Sequence, residues 1–172
     1  METSTLEQVA YLAEIIGVIL VIVSLIYLSS QVKQNTHQLK IQGLKEAITE
    51  FVNAFANLSE NSQTTNILRK GLNNYDDLPK DEQGIFLYKI QYLCSGFNQV
   101  LMLHKTGYLI ESEFIAMSNT MKGIMSCPGS RQCWNQLKSY PPGPFVTYVD
   151  ELLITKDDVK PINEAFDCFK LE

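Results

Sequence analysis

Between Val9 and Ser30 the chain reads VAYLAEIIGVILVIVSLIYLSS, twenty-two residues with a single charge at Glu14. A helix needs about 20 mainly apolar residues to cross the hydrocarbon core of a bilayer, where every backbone polar group must be satisfied within the protein. The run therefore predicts a transmembrane helix over 9–30, preceded by a short tail over 1–8. Placed at 100° per residue, Ala10, Ala13, Glu14, Gly17 and Ser24 fall within an arc of about 100°, with Val21, Leu28 and Gln31 filling it. The opposite arc carries bulky residues such as Tyr11, Ile15, Ile19, Ile22 and Ile26. Glu14, Gly17, Val21, Ser24, Leu28 and Gln31 step by three and four, the seam of a left-handed parallel bundle. Polar residues continue that seam through Asn35, Gln38 and Gln42.

Behind residue 31 the rhythm stays helical. Leu39, Leu44, Ile48, Phe51, Val52 and Phe55 carry the first helix on to about Leu58, with Gly43 a candidate break. After polar Ser59–Thr65, a short helix over 65–70 is expected to end at Gly71. Phe86, Ile90, Leu93, Phe97, Val100 and His104 mark a long central helix over 80–105, apolar enough to be buried on most sides. Ser112 is a candidate cap for a helix from Glu113 to about Ser126. Cys127-Pro128-Gly129 interrupts the pattern, and a further helix follows over 130–140. Pro141-Pro142-Gly143-Pro144 turns the chain into another helix with Phe145, Tyr148, Val149 and Leu152 on one face. The expected fold is all-α: one N-terminal transmembrane helix continuing into a helical-bundle domain over 31–155, then a tail or loosely docked helix over 156–172. The final Leu171-Glu172 fits a cloning remnant.

Charge adds an orientation. Residues 1–8 carry Glu2 and Glu7 but no Lys or Arg, which does not fit the basic leading region of a secretory signal. Lys33, Lys40 and Lys45 follow the span, so the positive-inside rule puts the N-terminus outside and the domain in the cytoplasm. The formal net charge of −5 comes from 14 basic and 19 acidic residues. All 14 basic residues lie behind residue 31, with no clustered basic face, so no nucleic-acid partner is expected. Cys94, Cys127, Cys133 and Cys168 form no CxxC pair and read as buried thiols in a reducing compartment. Only an inverted topology would let Cys127 and Cys133 bridge.

Two placements of Glu14 stay open. If the span begins near Ile15, the carboxylate sits at the interface in the first helical turn, where the helix dipole favours it. If it faces the axis of a bundle, copies of Glu14 form an acidic ring at the mouth of a pore, of the kind that selects cations.

Four segments, VIVSLIYLSSQVKQNT, RKGLNNYDDLPKDEQGIF, HKTGYL and SCPGSRQCWNQLKSYPPGPFVTYVDELL, occur in that order. Together they resemble a widespread, uncharacterised family of small bacterial membrane proteins in which a SLIYLxxQxxxNT segment precedes a compact helical domain. The resemblance covers most of residues 9–153. It implies a single N-terminal membrane helix in a bacterial inner membrane and an all-helical domain, and it implies no reaction. Pro79-Lys80 replaces a Ser-initiated capping box, and Cys133 replaces one of a pair of aromatics at Trp134. Both differences bear on capping and packing.

Chemical motifs are sparse. His37 and His104 stand in no metal spacing, and there is no phosphate loop, dinucleotide fingerprint or GxSxG elbow. The acidic pairs Asp76/Asp77, Asp81/Glu82, Asp150/Glu151 and Asp157/Asp158 read as caps or solvated charge. Tyr88, Tyr92, Phe97, Tyr108, Trp134 and Tyr140 read as core packing, with a ligand pocket as the alternative. No cofactor, metal or catalytic residue is expected. The chain reads as a self-associating, membrane-anchored scaffold, sensor or partner-binding protein, whose unidentified partner is a protein or small molecule. The alternatives are a homo-oligomeric pore lined by the Glu14–Ser24–Gln31 face and a ligand-gated membrane effector. Small residues at the Ala13-xxx-Gly17 spacing are what lets membrane helices approach one another, and a chain with one such helix finds its partner in a second copy.

Overall fold

The computed structural model describes residues 2–141, 143–155 and 158–170, with side chains from Glu7 onward. Pro142, the Lys156–Asp157 start of the tail and Leu171-Glu172 lie outside the described residues. The described residues are helical without strands, as the 3.6-residue rhythm requires. The chain divides into two units, residues 1–43 and residues 44–172.

The first unit is the leading part of α1, which spans Glu2–Ala56. Gly43 does not break this helix. From Val9 to Leu28 its large apolar side chains are between 51% and 68% exposed on every side. That stretch is long and apolar enough to cross a membrane, and none of its most apolar window is buried. Because i to i−4 bonds satisfy the backbone internally, a helix can carry apolar side chains all round its circumference.

The second unit begins at Leu44. The end of α1 brings Phe51 and Ala54 into a core, and a 3₁₀ turn over Asn57–Ser59 buries Leu58. α2 then spans Ser62–Asn73, longer than the rhythm of apolar residues indicates. Asn61 is its cap: the Asn61 side chain accepts from the Thr64 amide at 2.9 Å, and Thr64 Oγ1 accepts from the Asn61 amide at 3.0 Å. The polar stretch thus starts a helix, since such reciprocal bonds satisfy amides the first turn leaves open.

Gly71 does not end α2. It lies inside the helix, where a Cβ would run into the ring of Phe86. α3 spans Lys80–Lys105, as the periodicity indicates, with Asp81 and Glu82 in its first turn. It closes on Gly107, at φ 74°, with Gly107 N–H donating to His104 O and Tyr108 N–H to Leu103 O, both at 2.9 Å. This paired closure needs a left-handed residue, which glycine supplies without a steric penalty.

α4 spans Glu111–Met125 and starts at Ile110 rather than Ser112. The chain breaks at Cys127 as the Pro-Gly pair requires, but Pro128 itself opens α5, Pro128–Leu137. Proline suits the first helical position, where its missing N–H has no intrahelical partner to lose. α6 spans Gly143–Ile154, and the tail forms a single turn, α7 (Ile162–Ala165), then a 3₁₀ turn over Asp167–Phe169. Asn73 ties this tail to α2: its amide donates to Phe169 O at 3.0 Å, and its Oδ1 accepts from Asn163 at 3.0 Å.

The core of the domain gathers around α3. Phe86, Ile90, Leu93, Phe97 and Val100 are completely buried. Phe97 is the hub, with ring centres 5.5 Å from Phe51, 6.2 Å from Phe114, 6.5 Å from Phe145 and 5.9 Å from Tyr148. Lys122 of α4 is buried as well, and its ammonium donates to the Thr155 carbonyl, 2.6 Å away at the end of α6. A cation at a helix C-terminus meets open carbonyls and the negative end of the dipole, which offsets part of its desolvation.

Candidate functional site

The stripe singled out in the sequence lies on α1. Ala10, Ala13, Glu14, Gly17, Val21, Ser24, Leu28 and Gln31 are all exposed, and helical spacing brings them to one face. Gly17 has nothing within 4 Å of where a Cβ would stand, so nothing inside the described chain requires its small size. Two polar members donate within the helix. Ser24 Oγ donates to Leu20 O at 2.7 Å, and Gln31 Nε2 donates to Tyr27 Oη at 2.8 Å. Thr36 bonds back to Val32 O in the same way, at 2.8 Å. In an apolar medium such local bonds remove the cost of an unpaired hydroxyl or amide.

Within the domain, two cavities stand out. The first, of about 160 Å³, lies among α3, α5 and the start of α6. α3 contributes Gln91, Cys94, Ser95 and Asn98, of which Gln91, Ser95 and Asn98 share one helical face. Trp134, Leu137 and Phe145 form the apolar wall, and Tyr140 stands at the rim. Trp134 Nε1 donates to Asp150 Oδ1 at 2.8 Å, and its ring meets Phe145 edge-on with centres 6.2 Å apart. Asp150, inside α6, thus has a defined partner in α5, which reading it as a cap or solvated charge misses. The residues lie sixteen apart, and no local pattern announces the bond.

The second cavity, of about 290 Å³, is almost wholly apolar. Phe55, Leu58, Leu68 and Ile124 line one side, and Ile162 and Phe169 of the tail close it.

The aromatic residues grouped in the sequence do not form one cluster. Phe97 and Trp134 are core residues, whereas Tyr88, Tyr108 and Tyr140 are exposed. Tyr88 stacks on Tyr92 with ring centres 6.5 Å apart, and a hydrogen bond to Glu50 is the main cause holding the Tyr92 hydroxyl above its ordinary pKa. Of the six, Trp134 and Tyr140 reach the first cavity.

His104 stacks on Phe114 with ring centres 3.8 Å apart and its Nε2 lies 3.6 Å from Glu111 Oε2. Its surroundings are thus those of a residue joining the end of α3 to the start of α4. Burial pushes the Cys133 thiol up to about 12 and raises Cys94 too, with Cys133 a smaller contributor there. Cys127 is raised by burial and pulled back partly by hydrogen bonds from the Asn163 and Ile162 amides. These three are protonated thiols at neutral pH, which makes them poor nucleophiles. Cys168 departs from the expected burial and is exposed. Among the described residues, no three of His, Cys, Asp and Glu gather as a metal site.

Comparison with protein-family profiles, curated proteins and solved structures gives no match.

Proposed function

We propose that this chain is a single-pass membrane protein of a bacterial inner membrane that self-associates through α1 and holds its helical domain in the cytoplasm to engage a partner, without catalysis. The observation that carries the reading is the Val9–Leu28 surface, which exposes bulky apolar side chains all round the helix. Soluble monomers rarely expose a contiguous apolar patch beyond a few hundred Å². The orientation rests on Lys33, Lys40 and Lys45 behind the span, with no Lys or Arg before it. Self-association rests on the lean stripe, where Gly17 is small for no reason internal to the described chain.

Ser24 Oγ–H and one N–H of Gln31 are already bonded within the helix, which lowers the cost of packing this stripe against a second helix. Gly17→Leu should therefore reduce the native mass in mild detergent to that of one copy, while Glu14→Gln leaves it unchanged. An oligomer that survives Gly17→Leu contradicts association through this face. Ion flux in liposomes that Glu14→Gln alters would instead favour the pore.

Cys168, the exposed thiol, reports orientation. A maleimide that does not cross membranes should label it in lysed cells and leave it unlabelled in intact ones. Labelling in intact cells would put the domain outside.

A further inference from the structure

At the end of its apolar run, α1 carries a second face that the proposed self-association leaves unused. Ile26, Ser29, Ser30, Lys33 and His37 recur at helical spacing and share one side of the helix. At 100° per residue that side lies opposite the Glu14–Gln31 stripe, so a copy packed on the stripe leaves it to the surrounding lipid. Leu25, Ile26, Ser29, Ser30 and Lys33 border one shallow surface groove there.

The groove has donors to spare. Ser24 and Thr36 turn their hydroxyls back onto carbonyls one turn earlier, whereas Ser29 and Ser30 make no hydrogen bond to a described residue. Lys33 pairs with no described carboxylate either. From Ile15 to Lys45 the chain holds no Asp or Glu at all. Depth matters as much as charge. At 1.5 Å per residue, Val9 to Leu28 spans about 30 Å, the thickness of the hydrocarbon core. Ser29, Ser30 and Lys33 then fall within about 8 Å beyond its edge, at the level of the lipid headgroups.

We propose that Ser29, Ser30 and Lys33 bind the phosphodiester of an anionic glycerophospholipid, whose acyl chain lies along Leu25 and Ile26. The site rests on α1 spanning the membrane. Phosphodiester oxygens only accept, which matches two hydroxyl donors and an ammonium. The long apolar stem of Lys33 lets its charge reach that depth while the stem covers apolar surface. A zwitterionic lipid brings its own ammonium to the same phosphate. That ammonium would find no carboxylate nearby, since Glu14 and Glu46 are the nearest along α1 and each lies more than three turns from Lys33.

Full-length protein in mild detergent is titrated with phosphatidylglycerol, phosphatidylcholine or inorganic phosphate, and bound molecules are counted by native mass spectrometry. Phosphatidylglycerol should bind about fivefold tighter than phosphatidylcholine, the worth of one lysine beside an anionic headgroup. Lys33→Gln should remove that preference, and Ser29→Ala combined with Ser30→Ala should reduce it about twofold. Lys45→Gln, the same loss of charge about three turns farther on, should leave it intact. All four positions are exposed on α1, so none of these changes opens the core. Equal binding of the two lipids by an anchored chain would overturn the site, as would a Lys45→Gln loss as large as that of Lys33→Gln. Displacement of the lipid by inorganic phosphate would assign the groove to free phosphate instead, and a Lys33→Gln chain that falls to one copy would make it an interface between copies. A chain that stays in solution without detergent and binds neither lipid would overturn the anchor as well, which separates the two failures.

Discussion

Gly129→Ala is expected to destabilise the helical domain by about 3 kcal/mol or more, among the largest effects of any single added methyl group. A Cβ at this second residue of α5 would overlap the carbonyl oxygen of Gly71 and stand 2.8 Å from its carbonyl carbon and 2.9 Å from the Tyr75 amide nitrogen. All three obstructions are backbone atoms, so no side-chain rotation relieves them and α5 must move off α2. That movement would also pull on the Tyr75 N–H bond to Gln132 Oε1, 2.9 Å, and on the Gln132 Nε2 bond to Asn74 Oδ1, 3.2 Å, which cross the same junction. Gly84→Ala is the matched control. It lies within α3 with nothing within 4 Å of its Cβ position, and replacing glycine by alanine inside a helix gains about 1 kcal/mol. Thermal unfolding followed through Trp134 emission should therefore move in opposite directions for the two variants. A Gly129→Ala domain as stable as the original would mean that α2 and α5 do not cross as closely as described.

Phe97→Ala should cost about 3–5 kcal/mol, the range for removing a large aromatic from a packed core. Its ring is completely buried and touches rings from the end of α1, from α4 and from α6, so the void it leaves cannot be filled by one neighbour relaxing. Tyr88→Ala is the informative contrast. That ring is 67% exposed and, among the described residues, stacks on Tyr92, so a change within about 0.5 kcal/mol is expected, as at an ordinary surface position. Equal losses at the two positions would contradict the assignment of Phe97 as the hub.

Phe97 and Tyr88 also show where sequence reading reaches and where it stops. The i, i+3, i+4 rhythm of α3 identifies Phe86, Ile90, Leu93, Phe97 and Val100 as core, because burial of one helical face imposes that spacing directly. Tyr88 and Tyr140 have the same composition but lie on faces that solvent reaches, which composition does not encode. The end of α3 was legible where a local chemical device, Gly107, marks it, whereas Pro128, read as part of a break, itself opens α5. Other helix ends were misplaced where a tertiary contact bears on the residue. Gly71 has the look of a helix terminator, yet it lies inside α2, where a Cβ would run into the Phe86 ring. Asn61 and Thr64 looked like a loop, since polar residues serve caps and turns alike.

The lean face of α1 follows from helical geometry alone and is fully visible in the sequence. The cavity is not. It needs Gln91, Ser95 and Asn98 to meet Trp134 and Phe145 from segments some forty to fifty residues away, a juxtaposition only the packed domain creates. The Trp134–Asp150 bond is likewise a product of how α5 and α6 pack.

The central claim is that an exposed apolar helix with one small-residue face anchors this protein and joins copies of it. Its most direct test is the native mass of the full-length chain extracted in mild detergent, with bound detergent accounted for. A single species containing two or more copies is the predicted result. A protein that runs as one copy at every concentration would contradict association through α1.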